Sequence, residues 1–234
     1  GRPPVSRRER DRDKRLVYVV GKFPSLSETF ILREMRELEE RGRKLCVMSL
    51  QPGDTPVHAE ARELALRTVY RPQPLSLRML LVLLVTPLLY PVGYLNTWVR
   101  VVSLALKRPS AAGELLRSLL AAAAFACALR GRRVKHVHAH FASMPATVAM
   151  LLAWILDTSF SISAHARDLF TGESLLLDRK LREARFVAVC TRYGLEHLRR
   201  QHPLASADKL HLVYHGIDVV EYLPRVAEEP ADEL

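Results

Sequence analysis

The segment Ser159–Asp168 joins an alternating strand pattern to three side chains that can do chemistry. Small polar residues alternate with apolar ones along it, and it ends on His165, Arg167 and Asp168. Strands of a parallel α/β sheet present functional side chains at their carboxyl ends, where the chain lines a crevice. The three side chains predict a site for a phosphorylated or hydroxyl-rich ligand, with His165 and Asp168 catalytic and Arg167 substrate-binding. The alternative is that His165 and Asp168 only cap the following helix.

A second candidate is the loop Gly21–Phe30, which follows the first apolar run of the chain. In a doubly wound sheet this loop faces the crevice, and the next helix directs its free N–H groups and positive dipole end there. Its polar side chains suit a sugar or a phosphate, and the substrate-binding candidates are Ser25, Ser27, Glu28 and Thr29. Ser25 and Glu28 also have capping-box spacing, which is a structural role. The loop has no G-x-G-x-x-G pattern, which argues against a dinucleotide site of the dehydrogenase type.

Three alternate histidines, His136, His138 and His140, share one face of a predicted strand. Alternate histidines on a strand could chelate zinc, but no carboxylate or further histidine lies nearby in the sequence to complete the ligand set. We therefore predict no metal. We expect His140 to reach the crevice as a substrate-binding residue and the other two to be satisfied by packing within the sheet.

Two further strand ends carry polar residues. Thr191 follows the apolar run 187–190 and is a substrate-binding candidate. His215, Gly216 and Asp218 follow the run 210–214 and lead into an acidic, proline-containing segment, so we expect an interdomain linker there. The alternative is a surface turn in which Gly216 supplies a positive φ.

The order of the apolar runs predicts the elements that must position these residues. Strand patterns occur at 16–20, 45–50, 134–141, 160–164, 186–190 and 210–214, and helical patterns at 28–41, 146–156, 175–183 and 193–201. Short apolar strands that alternate with helices indicate a mostly parallel sheet with helices on both faces. The predicted fold class is α/β, a Rossmann-like doubly wound sheet within residues 16–224.

Residues 75–130 interrupt this alternation. The run Met79–Leu95 is almost uncharged, but Pro87, Pro91 and Gly93 break it. At about 17 residues it is at the short limit for a membrane-spanning helix. We expect two or three amphipathic helices packed on the sheet, with an exposed apolar face that docks on a membrane surface. A true transmembrane segment and an ordinary buried core are the alternatives.

Composition and charge restrict the cellular setting and the partners. Three separated cysteines predict a reducing, cytoplasmic location, and the charged rather than apolar first fifteen residues predict no signal peptide. The formal net charge of +10 is uneven, because residues 1–15 are basic and residues 225–234 are acidic. We expect residues 1–15 to form a disordered basic arm. The alternative is that this arm is attracted to an anionic membrane surface. The arm has no aromatic residues and no nucleic-acid fold signature, so no nucleic-acid partner is predicted.

Five motifs in order resemble one family. They are Phe23-Pro24-x-x-Ser27-Glu28-Thr29-Phe30, His138-Ala139-His140-Phe141, Ser163-x-His165-Ala166-x-Asp168, Val189-Cys190-Thr191 and His215-Gly216-Ile217-Asp218. From about Leu16 to Pro224 the chain resembles the amino-terminal half of a bacterial family 4 glycosyltransferase of the colanic-acid or exopolysaccharide type, with the GT-B fold. The resemblance implies a nucleotide-sugar donor, a glycan or lipid-linked acceptor, retention of anomeric configuration, and neither metal nor cofactor.

The resemblance also implies roles by position. His165 contacts the transferred sugar, the loop 25–29 borders the donor phosphates, and His215–Asp218 opens the interdomain linker. Members of the family continue with a carboxyl-terminal domain that holds the nucleotide, and nothing after Pro224 supplies it, so we expect this chain alone to be inactive. The competing hypothesis is a non-catalytic membrane-docking or scaffolding domain on the same fold, which the fold itself does not exclude.

Overall fold

A seven-stranded parallel sheet organises the structure, a computed structural model that describes residues 14–55, 59–171, 175–203 and 207–216. The strands are β1 Arg15–Phe23, β2 Lys44–Pro52, β3 Val69–Tyr70, β4 Val134–His140, β5 Ser159–Ala164, β6 Val187–Val189 and β7 Leu210–Leu212. Their order in the sheet is β3-β2-β1-β4-β5-β6-β7, and every pairing is parallel. The order reverses between β1 and β4, which places a ligand crevice at the carboxyl ends of the strands. The predicted α/β, Rossmann-like fold is confirmed.

Helices cover the sheet and connect its strands. They are α1 Thr29–Glu40, α2 Ala59–Leu66, α3 Leu77–Leu89, α4 Pro91–Lys107, α5 Ala112–Ala128, α6 Met144–Ile155, α7 Ala166–Phe170, α8 Leu177–Glu183 and α9 Arg192–Gln201. Short 3-10 turns lie at Pro109–Ala111 and Ala207–Lys209. The strands and helices that the apolar runs predicted are present in that order, and α2 and β3 are additional elements that the runs did not predict.

The side chains of β1 contribute to two hydrophobic cores, one on each face of the sheet. Val17 and Val19 enter the larger core, which contains α5 and α6, whereas Tyr18 and Val20 enter a smaller core with α1 and α2. Successive side chains of a strand point to opposite faces of the sheet. A strand that is apolar at every position therefore requires a covering layer on each face.

Residues 75–130 contain three helices, inserted between β3 and β4. The axes of α3 and α4 differ by 114° at a break beside Tyr90, because Pro91 lacks the N–H group that a continuous helix would need there. Helices α3 and α4 pack mainly on α5 and α6, and α6 covers the sheet. The predicted helical insertion is observed, but α3 and α4 are apolar on more than one side and form an outer layer instead of lying directly on the sheet.

Length and composition allow a membrane span in part of this insertion. Within the described residues, the stretch Pro109–Ala128 is long and apolar enough to cross a membrane, and the bent pair α3–α4 passes the same test as a unit. More than half of Pro109–Ala128 is buried inside the protein, as is usual for a core helix of a globular domain. The predicted arm (except residues 14 and 15) and the predicted acidic tail lie outside the described residues.

Candidate functional site

A cavity of about 650 Å³ lies at the carboxyl ends of the strands, beside α1. Its lining includes Phe30 and Glu34 from α1, His165 after β5, Cys190 after β6 and His215 after β7. Parallel strands bring residues that are distant in sequence to one edge of the sheet. The cavity is therefore where the order of the strands predicts a ligand, and it brings together three of the predicted site residues, His165, His215 and Gly216.

His165 is buried in this cavity among aromatic rings. The residue is 7% exposed, and its ring stacks on that of His215 with centroids 5.2 Å apart. Phe141 and Phe30 also contact it, at centroid distances of 4.5 Å and 5.2 Å. Its Nε2 has no hydrogen-bond partner among the described residues. Burial lowers the pKa of His165 to about 3, so the imidazole is neutral at pH 7 and can exchange a hydrogen bond with an uncharged hydroxyl.

Asp168 lies behind His165 and does not line the cavity. The residue is 2% exposed, and its Oδ1 accepts a hydrogen bond of 2.8 Å from the backbone N–H of His165. Its Oδ2 accepts a hydrogen bond from the backbone N–H of Ala142, in the loop after β4. Burial raises the pKa of Asp168, although the backbone N–H groups oppose that shift. The sequence predicted a catalytic pair, whereas this geometry gives Asp168 the capping and positioning role that was the alternative.

Lys180 is a buried structural residue behind the site that the sequence analysis missed. It is fully buried on α8, and its Nζ donates hydrogen bonds to the carbonyl oxygens of Ala142 and Ser143, at 2.6 Å and 3.0 Å. Burial lowers its pKa to about 8, and the charges of Glu114 and Asp168 oppose that shift. Lys180 and Asp168 therefore hold the same loop, which follows His140. A lysine on the apolar side of the 175–183 helical pattern was the signal that could have revealed it.

His140 occupies the layer beneath the cavity. It is fully buried, and neither of its ring nitrogens has a hydrogen-bond partner among the described residues. Its Nε2 lies 3.4 Å from Glu34 Oε2, and its ring centroid is 5.8 Å from that of His165. The expected exposure of His140 to the crevice is thus wrong, because Phe30, Glu34 and His165 lie over it. His140 therefore contacts residues that line the cavity without lining it itself.

Glu34, on α1, is a second residue that sequence reasoning missed. Burial alone would raise its pKa, but the close approach and charge of His140, the charge of His138 and the hydrogen bond from the hydroxyl of Tyr18 outweigh that effect and hold the pKa at about 2. Tyr18 Oη donates to Glu34 Oε1 at 2.6 Å. The cavity therefore contains an ionised carboxylate at neutral pH. No local pattern distinguishes Glu34 from the other acidic residues of α1.

His136 and His138 are satisfied within the sheet, as predicted. His136 makes hydrogen bonds of 2.7 Å with the hydroxyls of Ser159 and Ser161. His138 is bonded to Ser161 and Ser163, at 2.7 Å and 3.1 Å. The alternating serines of β5 thus pair with the alternating histidines of β4, because the two strands are parallel neighbours. Burial lowers the pKa of His138 to about 3, so it too is neutral.

The loop before α1 is close to the cavity, but its hydroxyls do not line it. Helix α1 begins at Thr29 with Glu28 as its N-cap residue and without a side-chain cap, so the predicted capping box is not formed. Ser25 and Ser27 lie with their hydroxyls 3.3 Å apart. Burial raises the pKa of Glu28, and the nearby charges of His140, Lys22 and Arg167 oppose this. Glu28 is therefore within electrostatic reach of the site, beside Arg167.

The remaining candidates have different positions. Arg167 is exposed at the start of α7. Thr191 caps α9, since its Oγ1 accepts a hydrogen bond of 3.1 Å from the backbone N–H of Gly194, and it does not line the cavity. Gly216 lines the cavity beside His215, whereas Asp218 lies outside the described residues.

Among the described residues, two groups of side chains have donor atoms close enough to hold a metal ion. In each group, Glu34–His138–His140 and His165–Cys190–His215, the donor atoms lie within 4.8 Å of one another. Helix α1 thus supplies the carboxylate that the sequence around the histidines lacks. In the second group, the rings of His165 and His215 are nearly parallel, at 12°, so they would have to rotate before both could bind one ion in their ring planes. The absence of a metal remains a prediction.

The fold and the cavity define a Rossmann-like domain with a candidate ligand cavity at the carboxyl ends of its strands. The family model of Glycosyltransferase Family 4 matches residues 27–221, and the chain belongs to that family. No curated protein matches the chain. The expected membership of family 4 is confirmed, and with it a glycosyltransferase domain whose partners are a sugar donor and an acceptor. The colanic-acid or exopolysaccharide type remains a prediction.

Proposed function

We propose that the chain is the acceptor-side domain of a retaining glycosyltransferase in exopolysaccharide or cell-envelope synthesis. It moves a sugar from a nucleotide-sugar donor to a glycan or lipid-linked acceptor, without a metal or other cofactor. The enzyme acts in the cytoplasm, at the inner face of the plasma membrane. The family membership supports the sugar chemistry in general, and the site supports the particular roles below.

The observation that carries this proposal is the free Nε2 of His165. A buried polar atom without a partner costs about 1–3 kcal/mol, so its retention favours a ligand that supplies the missing hydrogen bond. The imidazole is neutral and packed between aromatic rings. We assign it to a hydroxyl of the transferred sugar, and we assign the exposed Arg167 to the donor phosphates, because a guanidinium pairs well with phosphate oxygens.

The proposed transfer needs a second wall around the site. Transfer of a sugar needs electrostatic stabilisation of the departing nucleoside diphosphate in a site from which water is excluded. The described residues supply one wall, made of strand ends and α1. We propose that a carboxyl-terminal domain supplies the other wall, and that His215 and Gly216 begin the link to it.

Replacing His165 tests the assignment. In the complete enzyme that contains this domain, we expect His165→Ala to lower turnover about a hundredfold or more, which corresponds to about 2.7–4 kcal/mol for one oriented hydrogen-bond donor. Because the contact tightens as the bond to phosphate breaks, donor affinity should fall much less. Turnover and donor affinity are measured separately, with a purified nucleotide-sugar.

His138→Ala is the matched control, since His138 is a buried neutral histidine whose ring nitrogens are already bonded to serines. It should lower the melting temperature with little effect on the turnover of the folded enzyme. Near-normal turnover of the His165→Ala variant, or a loss of stability alone, would show that His165 is a packing residue.

A non-catalytic scaffolding domain is the second candidate, and the large exposed apolar surface of α3 and α4 is the observation that favours it. A scaffold has no use for the unpartnered His165. If neither the chain nor the complete protein binds nucleotide-sugars, the scaffolding function replaces the enzymatic one.

A further inference from the structure

Helices α3 and α4 carry an apolar surface that no described residue covers. Its large side chains, each about half exposed or more, are Leu77, Leu80, Leu81, Leu84, Leu88, Val92, Leu95, Val99, Val102 and Leu106. They recur every three or four residues, so they form one stripe along each helix. We call these ten residues the α3–α4 apolar face. Soluble monomers rarely expose a contiguous apolar patch of this kind unless it binds something.

Packing within the protein does not require this face. Other residues of the same helices, including Met79, Val82, Tyr94 and Val101, are buried against the core. A helix at the surface of a soluble domain normally has a polar side opposite its buried side. Helices α3 and α4 instead have a second apolar side, which points away from the protein.

The charged residues in this part of the chain are all basic. Residues 64–113 contain no aspartate or glutamate, and their cations are Arg67, Arg71, Arg78, Arg100, Lys107 and Arg108. Of these, Arg78 and Arg100 are exposed within the two helices, and Lys107 and Arg108 are exposed at the end of α4. An apolar surface on helices whose only charged residues are cations complements a bilayer that contains anionic lipids, since the acyl region takes the apolar residues and the phosphates take the cations.

We propose that the α3–α4 apolar face docks on an anionic lipid bilayer, with both helices lying in the plane of the interface. Helix α3 has 13 residues and would extend about 20 Å, which is too short to cross a hydrocarbon core of about 30 Å. The 114° bend at Tyr90 also prevents the pair from acting as one straight span. Docking in the plane uses the exposed residues of both helices at once.

This docking places the candidate site near the membrane surface. Helix α4 ends shortly before α5, and Glu114 in the first turn of α5 accepts a hydrogen bond of 2.7 Å from Thr147, near the start of α6. Helix α6 starts directly after β4, at the edge of the sheet where the cavity lies. The carboxyl end of α4 therefore lies next to the edge of the sheet that carries the candidate site. This position suits an acceptor that a lipid holds in the bilayer. The docking itself does not depend on the proposed sugar chemistry.

Flotation of the full chain with vesicles tests the proposal without any donor sugar. We expect binding to vesicles of phosphatidylglycerol and phosphatidylcholine, weaker binding to phosphatidylcholine alone, and release by high salt or alkaline carbonate. The double change Leu84→Glu and Val99→Glu should lower the partition coefficient at least tenfold, because it places charges at the centre of both stripes. Deletion of residues 1–15 should lower it less and mainly on anionic vesicles.

Leu66→Glu is the matched control, since Leu66 is an exposed leucine, 86% accessible, on α2. It should bind vesicles as the unmodified chain does, and circular dichroism should show all variants folded. Absence of binding to anionic vesicles, equal loss in the control, or resistance to carbonate extraction would overturn the proposal. So would a concentration-dependent dimer that the double change abolishes without any effect on vesicle binding. Loss of sugar transfer with intact flotation would instead count against the proposed function alone.

Discussion

Four histidines meet in and beneath the cavity, and their surroundings give them different roles. His138 is bonded to serine hydroxyls, His140 is enclosed, His165 has a free Nε2, and His215 stacks on His165 from the exposed side. A bonded imidazole stabilises the sheet, whereas an unpartnered one has hydrogen-bonding capacity left for a ligand. The position of His165 at the carboxyl edge of the sheet and its missing hydrogen-bond partner together make it the candidate ligand-binding histidine. Neither property alone would select it.

Acid should destabilise this arrangement. Burial lowers the pKa of His138 and of His165 to about 3, compared with about 6.5 for an unfolded histidine. Between these values the unfolded state binds more protons, so the free energy of unfolding falls as the pH is lowered from about 6.5 towards 3. At pH 5 each histidine should cost about 2 kcal/mol relative to pH 7. Urea unfolding at the two pH values measures this loss.

Two variants distinguish these histidines from the general effect of acid. His138→Asn should make the free energy of unfolding less dependent on pH between 7 and 5, whereas Gly113→Ala, which changes no titratable group and has open space around the added atom, should leave that dependence unchanged. Equal slopes for both variants would mean that other groups carry the acid sensitivity.

Lys180 should matter for stability far more than an ordinary lysine. Lys180→Met removes the two hydrogen bonds to the loop after β4 and leaves Ala142 O and Ser143 O without that donor, so we expect a loss of about 3 kcal/mol. Lys209→Met is the control, because Lys209 also donates to a carbonyl oxygen, that of Arg182, but at the surface. It should change the free energy of unfolding by less than about 0.5 kcal/mol. Chemical denaturation of both variants compares them, and similar values would contradict a structural role for the buried ammonium.

At the scale of elements, one close approach fixes α4 against α6. A Cβ atom at Gly93 would overlap the backbone oxygen of Ile155, at the end of α6. Gly93→Ala should therefore separate the two helices and cost about 1–3 kcal/mol. Gly113→Ala, on α5, has open space around the added atom and should be neutral or slightly stabilising. Thermal unfolding of the two variants would refute this packing if Gly93→Ala melted no lower than Gly113→Ala.

The elements that the sequence predicted are those with strong local patterns. Strand β5 and helix α6 were predicted to within two residues, because apolar runs and helical periodicity are local signals. Strand β3 has only two residues, and α2 has a weak apolar pattern, so neither was predicted. The contacts of Lys180 and Glu34 join distant segments, and no local pattern encodes them. The sequence therefore predicted where the site lies better than which residues hold it together.

At the scale of the whole molecule, the candidate site has one wall. The strand ends and α1 form it, and His165 is packed into it. The described residues that line this cavity include no structure opposite the strand ends that would enclose a nucleoside diphosphate. A site with this shape can bind part of a donor, but it stabilises little of the charge that develops on the leaving group.

We therefore expect the 234-residue chain to fold but to transfer no sugar. A cooperative thermal transition would show folding, and incubation with labelled nucleotide-sugars and membrane lipid extracts would measure transfer. The positive control is the complete enzyme containing this domain, under the same conditions, because leaving-group stabilisation is worth several kcal/mol only when water is excluded. Adding a separately expressed carboxyl-terminal domain should restore transfer, and His165→Ala should abolish that restoration. Multiple turnovers by the chain on its own would show that the second wall is unnecessary, and the two-domain mechanism would fail.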